Sequence, residues 1–161
     1  GMDGFTRRRG GNMNVRGMAG HLIRRLNQHS THVFAMGAQQ AGFDLTPVQF
    51  AAMDSIASNP GIDQAGVAAR IAYDRATIGG VIDRLEQKGY VLRKVSPRDR
   101  RRRAVWLTDK GETVLREILP VVTDLQGSIL PGLDQAERAR FLELAEKALG
   151  GFSTGVQISG P

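Results

Sequence analysis

The sequence predicts a mainly α-helical chain that contains one small β-hairpin. Apolar residues recur at the three-to-four-residue spacing of a helix face over most of the 161 residues. The spacing changes only over Tyr90–Val95 and Arg103–Leu107, where β-branched and aromatic residues are typical of short strands. Capping signals separate the helical segments, so we expect six helices, four before the two strands and two after them.

Composition limits the classes of protein that this chain can be. It is 41% hydrophobic and 24% charged, which is typical of a globular domain, and its net charge of +6 favours a polyanionic partner, either nucleic acid or an anionic membrane. The absence of cysteine excludes disulfides, thiolate metal sites and cysteine redox sensing. No apolar run is long enough for a membrane span or a secretion signal, so we expect a cytoplasmic protein without a cofactor.

Clear boundary signals define the first two helices. One long helix is expected from about Val15 to Gln40. A second begins with Thr46 as N-cap and Pro47 at its first position, and Gln49 completes a capping box. The segment 59–61, Asn-Pro-Gly, ends it.

Two shorter helices follow, joined by a tight turn. Asp63 is expected to cap a third helix that ends near Ile71, and Asp74 to cap a fourth. Gly89 ends the fourth helix at a position that favours left-handed backbone. The apolar face of this fourth helix consists of Ile78, Val81, Ile82 and Leu85.

The hairpin tip, residues 96–102, is strongly basic, with five arginines among the six residues 98–103. A charge run by itself is typical of a solvated surface. Here it follows two short helices directly, and this arrangement predicts a winged helix-turn-helix, in which a recognition helix enters the major groove of DNA and the hairpin, or wing, reaches the neighbouring minor groove. The candidate DNA-binding residues are Asp74, Arg75, Ala76, Thr77, Gly79 and Arg84 around the fourth helix, and Arg98, Asp99, Arg100, Arg101 and Arg102 at the tip.

Two helices complete the chain. Thr108 is expected to cap a fifth helix that Pro120 kinks, and the segment 134–137 forms a capping box for a last helix that ends at about Leu149. The first and fifth helices carry more apolar surface than a compact winged lobe can cover, which favours a dimer. The expected organisation is a flexible basic tail with a tag remnant (1–13), dimerisation helices (14–42 and 109–149), a DNA-binding lobe (46–108) and a flexible tail (150–161).

Four segments together resemble the signature of the MarR (multiple antibiotic resistance regulator) family: 73–77, 84–89, 97–101 and 107–111. The resemblance implies an obligate homodimer that binds a palindromic operator, usually as a repressor, and leaves it when a small molecule binds. It also implies that Asp99 orients Arg101 so that its guanidinium enters the minor groove.

His21, Arg25, His29 and His32 form one stripe on the first helix. The stripe could be a polar edge, or a metal site that lacks a carboxylate or cysteine partner nearby in sequence, or an anion pocket for a carboxylate or phenolate. The family resemblance supports the anion pocket, because many members respond to aromatic acids or phenols, and it points to regulators of aromatic or hydroxynicotinate catabolism. Phe50 and Tyr73 are candidate pocket walls, although both are equally compatible with an ordinary core.

Three other functions fit the sequence less well. An enzyme would need a nucleophile with a base or a pair of carboxylates, and neither grouping is visible. A membrane-surface protein would need a basic amphipathic helix, whereas the charge here lies at a hairpin tip. The closer alternative is an architectural DNA-binding protein without an effector, which would bind many sequences with similar affinity.

Overall fold

The computed structural model describes residues 17–96 and 98–157, with side chains as far as residue 150. The predicted tail at 1–13, Pro97 at the hairpin tip and the last four residues lie outside this part. The chain divides into two compact units, Gly1–Leu125 and Gln126–Pro161. In chain order the elements are α1 (Ala19–Gln40), α2 (Pro47–Ser58), β1 (Ile62–Asp63), α3 (Gln64–Arg70), α4 (Ile78–Gln87), β2 (Val91–Val95), β3 (Arg103–Leu107), α5 (Asp109–Ile129) and α6 (Gln135–Gln157).

The predicted fold class, mainly helical with a small β-hairpin, is confirmed. The two predicted strands, β2 and β3, pair antiparallel, with Arg93 opposite Val105. A third strand, β1, pairs with the other edge of β3, so the sheet order is β1-β3-β2. We did not predict β1, because a strand of two residues leaves no alternating pattern in the sequence.

The hydrophobic core of the first unit lies among α2, α3, α4 and the sheet, with contributions from α1 and α5. The four apolar positions predicted for α4 are all buried, and Val105 of β3 is fully buried with them. Other fully enclosed core residues are Ala52, Met53, Ile56, Val67 and Ile118. This core fixes α4 on one side and leaves its opposite face exposed.

Most predicted helix starts are confirmed by their hydrogen bonds. The Thr46–Gln49 capping box is complete, and the Asp63 carboxylate accepts the backbone N–H of Gly66 at 2.7 Å. Thr108 Oγ1 accepts the backbone N–H of Gly111 at 3.0 Å. In the second unit, Asp134 and Glu137 form the predicted reciprocal box before α6.

Three predicted helix boundaries are wrong. The helix α1 begins at Ala19, after Met18 as its N-cap, and not at about Val15. The helix α4 begins at Ile78, one turn after Asp74, because the Asp74 carboxylate binds the N–H of Ala76 in a local turn that precedes the helix. The helix α6 continues to Gln157, past its predicted end near Leu149. The glycines at 150 and 151 are therefore tolerated inside the helix.

None of the helices in the described ranges is long and apolar enough to span a membrane. Several helices nevertheless carry large apolar side chains that are exposed to solvent in a single copy of the chain. On α1 and at its N-cap these are Met18, Leu22, Ile23, Leu26 and Met36, and on α5 and α6 they are Leu119, Leu142, Leu144 and Leu149.

Candidate nucleic-acid interface

The tip of the β2–β3 hairpin is closed by backbone hydrogen bonds. The N–H of Ser96 donates to the carbonyl of Arg102 at 2.8 Å, and the N–H of Arg102 donates to the carbonyl of Asp99 at 3.0 Å. The Asp99 carboxylate accepts the backbone N–H of Arg101, also at 3.0 Å. The aspartate therefore fixes the backbone of the tip through a side-chain turn.

The contacts between Asp99 and the arginine side chains are longer. Arg101 Nε lies 3.9 Å from Asp99 Oδ1, and the Arg101 side chain is 96% exposed. Arg102 Nε lies 3.7 Å from Asp99 Oδ2 and 3.8 Å from Asp63 Oδ2. Arg98 and Arg100 are exposed at the same tip. Asp99 therefore interacts more strongly with the backbone N–H of Arg101 than with the guanidinium of Arg101 or Arg102.

Arg75, Ala76 and Thr77 lie in the exposed turn before α4 rather than in its first helical turn. The carbonyl of Asp74 accepts the N–H groups of Thr77 and Ile78, both at 3.1 Å, and the hydroxyl of Thr77 at 3.2 Å. This turn presents the side chains of 75 and 76 ahead of the helix. Arg84 is exposed further along α4.

A cleft of about 570 Å³ separates this turn and the first residue of α4 from the wing. Its lining residues are Asp63, Gln64, Ala65, Arg75, Ile78, Arg101, Arg102 and Arg103. Four guanidinium groups thus face one carboxylate, which gives the cleft an excess of positive charge. Gln64 and Arg103 were not among the predicted site residues. Arg103 belongs to the arginine run, but the sequence indicates it as the first residue of the strand 103–107.

A nearly buried arginine joins β2 to α4 and α3. The Arg93 side chain, 13% exposed, forms ion pairs with Asp83 at 2.5 Å and Glu86 at 3.0 Å. Its Nη1 also donates to Gln64 Oε1 at 3.0 Å. The sequence alone did not suggest this network, because its members are up to 29 positions apart.

The Arg93 hydrogen bond lowers the pKa of the Glu86 carboxyl, and the same bond raises the pKa of the Arg93 guanidinium. The stability that the lowered carboxyl pKa contributes is fully present above the usual glutamate pKa. It is lost as the pH falls through the folded-state pKa. The carboxylate's contribution to the link between wing and α4 is therefore lost in acid.

The C-terminal end of α4 is held from two sides. The Lys88 ammonium donates to the carbonyl of Asp44 at 2.6 Å and to Gln49 Oε1 at 2.9 Å. On the other side, the Lys110 ammonium donates to the carbonyl of Lys88 at 3.2 Å. Gly89 has a φ of +80°, as predicted for the end of this helix. Residues just before α2, in its first turn and at the start of α5 thus all position α4.

Gly79 and Gly80 differ in their surroundings. A Cβ on Gly79 would lie 3.6 Å from Gln64 Nε2, whereas a Cβ on Gly80 would have no neighbour within 4 Å. Gly80 is exposed in the interior of α4, where glycine is about 1 kcal/mol less favourable than alanine. No packing contact of the described chain requires the absence of a side chain at this position.

The histidine stripe lies on α1, with His21 half-buried and Arg25, His29 and His32 exposed. Arg24 donates to His21 Nδ1 at 3.1 Å. Phe50 contacts the core, its ring centroid 5.9 Å from that of Phe34. Tyr73 is 37% exposed.

No histidines or carboxylates in the described part of the chain are grouped as a metal site requires.

The profile of the MarR family matches residues 45–102. The transcriptional regulator HosA of Escherichia coli O111:H- is 34% identical over 137 residues, which cover 85% of this chain and 98% of HosA. The chain belongs to the MarR family. The MarR proteins similar to it are transcriptional regulators, not enzymes.

Solved MarR-type structures share the fold. Bordetella bronchiseptica BpsR, whose DNA binding is regulated by 6-hydroxynicotinic acid, is 29% identical, with a TM-score of 0.76 over 86% of this chain and 97% of BpsR. The transcriptional repressor CouR, bound to a 23-mer DNA duplex, is 26% identical, with a TM-score of 0.72 over 81% of this chain and 92% of CouR. The winged helix architecture expected from the sequence is thereby confirmed.

Proposed function

We propose that this MarR protein is a homodimeric repressor that binds a palindromic operator and is released by a small aromatic acid or phenol. The observation that carries the proposal is the placement of the basic wing beside the exposed start of α4, with an arginine-lined cleft between them. Such a pair of elements fits adjacent grooves of B-DNA. A protein with this role would act in the cytoplasm, where bacterial DNA is accessible.

The two parts of the interface have different chemistry. Arg75 and Thr77, before α4, are expected to face base edges, where arginine and threonine can read sequence. The wing is expected to enter the minor groove, whose negative potential is strongest where it is narrow and favours arginine. CouR provides a relative with DNA bound.

Dimerisation is supported by the exposed apolar side chains of α1, α5 and α6. Leu22, Ile23 and Leu26 lie on one face of α1, and Ile23 is 65% exposed in the single chain. Contact with a second copy would bury this surface, and burial contributes about 25 cal/mol per Å². A two-fold dimer in turn requires an operator with two inverted half-sites.

The effector proposal rests on the stripe of His21, Arg25, His29 and His32. Arg25 and the histidines can hold a carboxylate or phenolate, the guanidinium through charge-assisted hydrogen bonds. Phe50 and Tyr73 are proposed as apolar walls. The response of BpsR to 6-hydroxynicotinic acid supports an anionic aromatic ligand of this class.

Selection of duplexes from a randomised pool tests this function and separates it from architectural DNA binding. We expect the wild-type protein to enrich one inverted repeat with half-sites about one helical turn apart. Its affinity for that repeat should exceed that for random DNA by ~1,000-fold or more. Adding 6-hydroxynicotinate or benzoate to the complex should release it. Uniform recovery of all sequences would instead indicate an architectural protein.

The Gly80→Ala variant is expected to change stability and DNA affinity in opposite directions. Alanine should stabilise α4 by up to about 1 kcal/mol because a Cβ has open space there. The same methyl should weaken operator binding several-fold if the exposed face of α4 approaches DNA closely. Urea unfolding and operator titration measure the two effects. Unchanged operator affinity in the stabilised variant would show that this face does not contact DNA.

A further inference from the structure

We propose that Gln64 binds a phosphodiester of the DNA backbone in the cleft between the wing and the start of α4, as a donor that Arg93 orients. The inference rests on the proposed DNA-binding function. It adds a contact from outside the recognition helix and the wing tip. It also gives Arg93, which does not line the cleft, a role as a positioning residue.

The orientation of the Gln64 amide follows from its partner. A guanidinium can only donate hydrogen bonds, so the atom of Gln64 that faces Arg93 Nη1 must be the oxygen. The amide nitrogen, with its two donors, is therefore directed away from Arg93. It lies beside Gly79, 3.6 Å from the position that a Cβ would occupy, and Gln64 lines the cleft. Within the described part of the chain, this nitrogen has no hydrogen-bond acceptor.

Arg93 is itself held firmly enough to fix this orientation. Its guanidinium bonds to Asp83 and Glu86 on α4, and little of the side chain is exposed. The rotamer entropy of both Arg93 and Gln64 is thus already reduced in the free protein. An oriented donor loses less entropy on binding than a mobile one, so the contact can strengthen DNA binding.

The charge and position of the cleft favour a phosphodiester as its occupant. Arg75, Arg101, Arg102 and Arg103 face it, and the single carboxylate among its lining residues, that of Asp63, already accepts the N–H of Gly66 and lies near Arg102. One sugar–phosphate strand separates each major groove from the adjacent minor groove. If α4 occupies the first groove and the wing the second, that strand must cross the cleft between them. Glutamine amides and arginines are common phosphate donors.

Two substitutions of Gln64 test the contact. Gln64→Glu preserves the shape and the oxygen that Arg93 binds, but it replaces the donor with an acceptor that repels phosphate. We expect at least about ten-fold weaker binding to both the selected operator and a random duplex, an unchanged ratio between them, and no loss of thermal stability. Gln64→Met removes the donor without adding charge. Its loss should be roughly five-fold, with the salt dependence unchanged, because no cation is removed.

A matched control separates this contact from general charge repulsion. Gln135 is the first residue of α6 after the Asp134 cap, as Gln64 is the first residue of α3 after the Asp63 cap, and it is exposed. Gln135→Glu adds the same charge at an equivalent helix position outside the cleft. We expect its DNA affinity to stay within about two-fold of wild type.

The role of Arg93 is tested by a double-mutant cycle. Arg93→Lys keeps the charge but cannot reach both carboxylates and Gln64 at once. It should lower DNA affinity in the wild-type background, and clearly less when Gln64 is already methionine. Equal losses in the two backgrounds would overturn the positioning role.

Other results would contradict the Gln64–phosphate contact in distinguishable ways. Wild-type affinity in both Gln64 variants would overturn the contact, and a loss confined to the operator would mean that Gln64 binds a base rather than a phosphate. The side-chain amide resonance of Gln64 should shift with duplex and not with inorganic phosphate at equal ionic strength. A shift with inorganic phosphate alone would make the cleft a small-anion site. A wild-type protein that binds no duplex would contradict the proposed function itself.

Discussion

Gly111→Ala is expected to destabilise the folded chain by roughly 3 kcal/mol or more, the upper end of what overpacking costs. Gly111 is buried in the first turn of α5, and a Cβ there would overlap the carbonyl oxygen of Tyr90 and lie 2.9 Å from its carbonyl carbon. That carbonyl accepts the N–H of Thr108 at 3.0 Å. Both neighbours are backbone, so neither can rotate away as a side chain would.

Thermal unfolding at one fixed protein concentration measures this effect. Gly127→Ala is the matched control, since it lies in the same helix and, among the described side chains, a Cβ would meet only the end of Arg138, at 3.7 Å. Alanine at 127 should leave stability unchanged or raise it by up to about 1 kcal/mol. If both variants unfold at the wild-type temperature, the close approach of α5 to Tyr90 is wrong.

The close approach of α5 to Tyr90 also affects the proposed DNA interface. Tyr90 lies three residues after Gln87, the last residue of α4, and Lys110 donates to the carbonyl of Lys88 in the same junction. A shift of α5 would therefore move the end of α4. Gly111→Ala protein that remains folded should bind DNA less well, because the helix that faces the groove is displaced.

Features that depend on neighbouring residues could be predicted from the sequence. The capping boxes at Thr46 and Asp134 need only three residues, and both are confirmed. The strands β2 and β3 and the buried face of α4 also follow from local periodicity. The prediction that α4 begins at Asp74 was wrong because an aspartate can equally close a turn before a helix, and only the tertiary environment selects between these two conformations.

Features that join distant parts of the chain could not be predicted. From the sequence alone, Arg93 is expected to be an exposed strand residue. Its partners Asp83 and Glu86 are expected on the polar face of a helix. Their contact depends on how β2 packs against α4. The cleft and the contribution of Gln64 depend on the same packing, so no sequence pattern indicated them. Gly111, by contrast, falls within one of the family-like segments, but the segment alone gives no physical reason for glycine.

Asp99→Ala is expected to weaken operator binding by roughly ten-fold, although it removes a negative charge from a surface that would face DNA. Simple Coulomb attraction predicts the opposite change. The Asp99 carboxylate accepts the N–H of Arg101 and lies near the guanidinium groups of Arg101 and Arg102. Without it the hairpin tip has more backbone freedom, and ordering a backbone residue costs about 1–2 kcal/mol when DNA binds.

Asp99→Asn separates the two roles of this side chain. An asparagine oxygen can still accept the N–H of Arg101, but the ion pairs are lost. Because the backbone contact is 3.0 Å and the ion pairs are 3.7 Å or longer, we expect Asp99→Asn to bind the operator nearly as well as wild type. Affinity as low as that of Asp99→Ala would show that the carboxylate charge orients the arginines.

Arg101→Ala should weaken operator binding at least as much as Asp99→Ala, since it removes the group that is proposed to enter the minor groove. The double variant should lose less than the sum of the two single losses, because the tip acts as one unit. All of these variants should unfold at the wild-type temperature, as exposed ion pairs contribute only about 0–1 kcal/mol to stability. Titration of each variant with the operator at fixed salt measures these losses of affinity. Tighter binding by Asp99→Ala would mean that the wing acts only as a diffuse positive surface, for which the structure of its tip is unimportant.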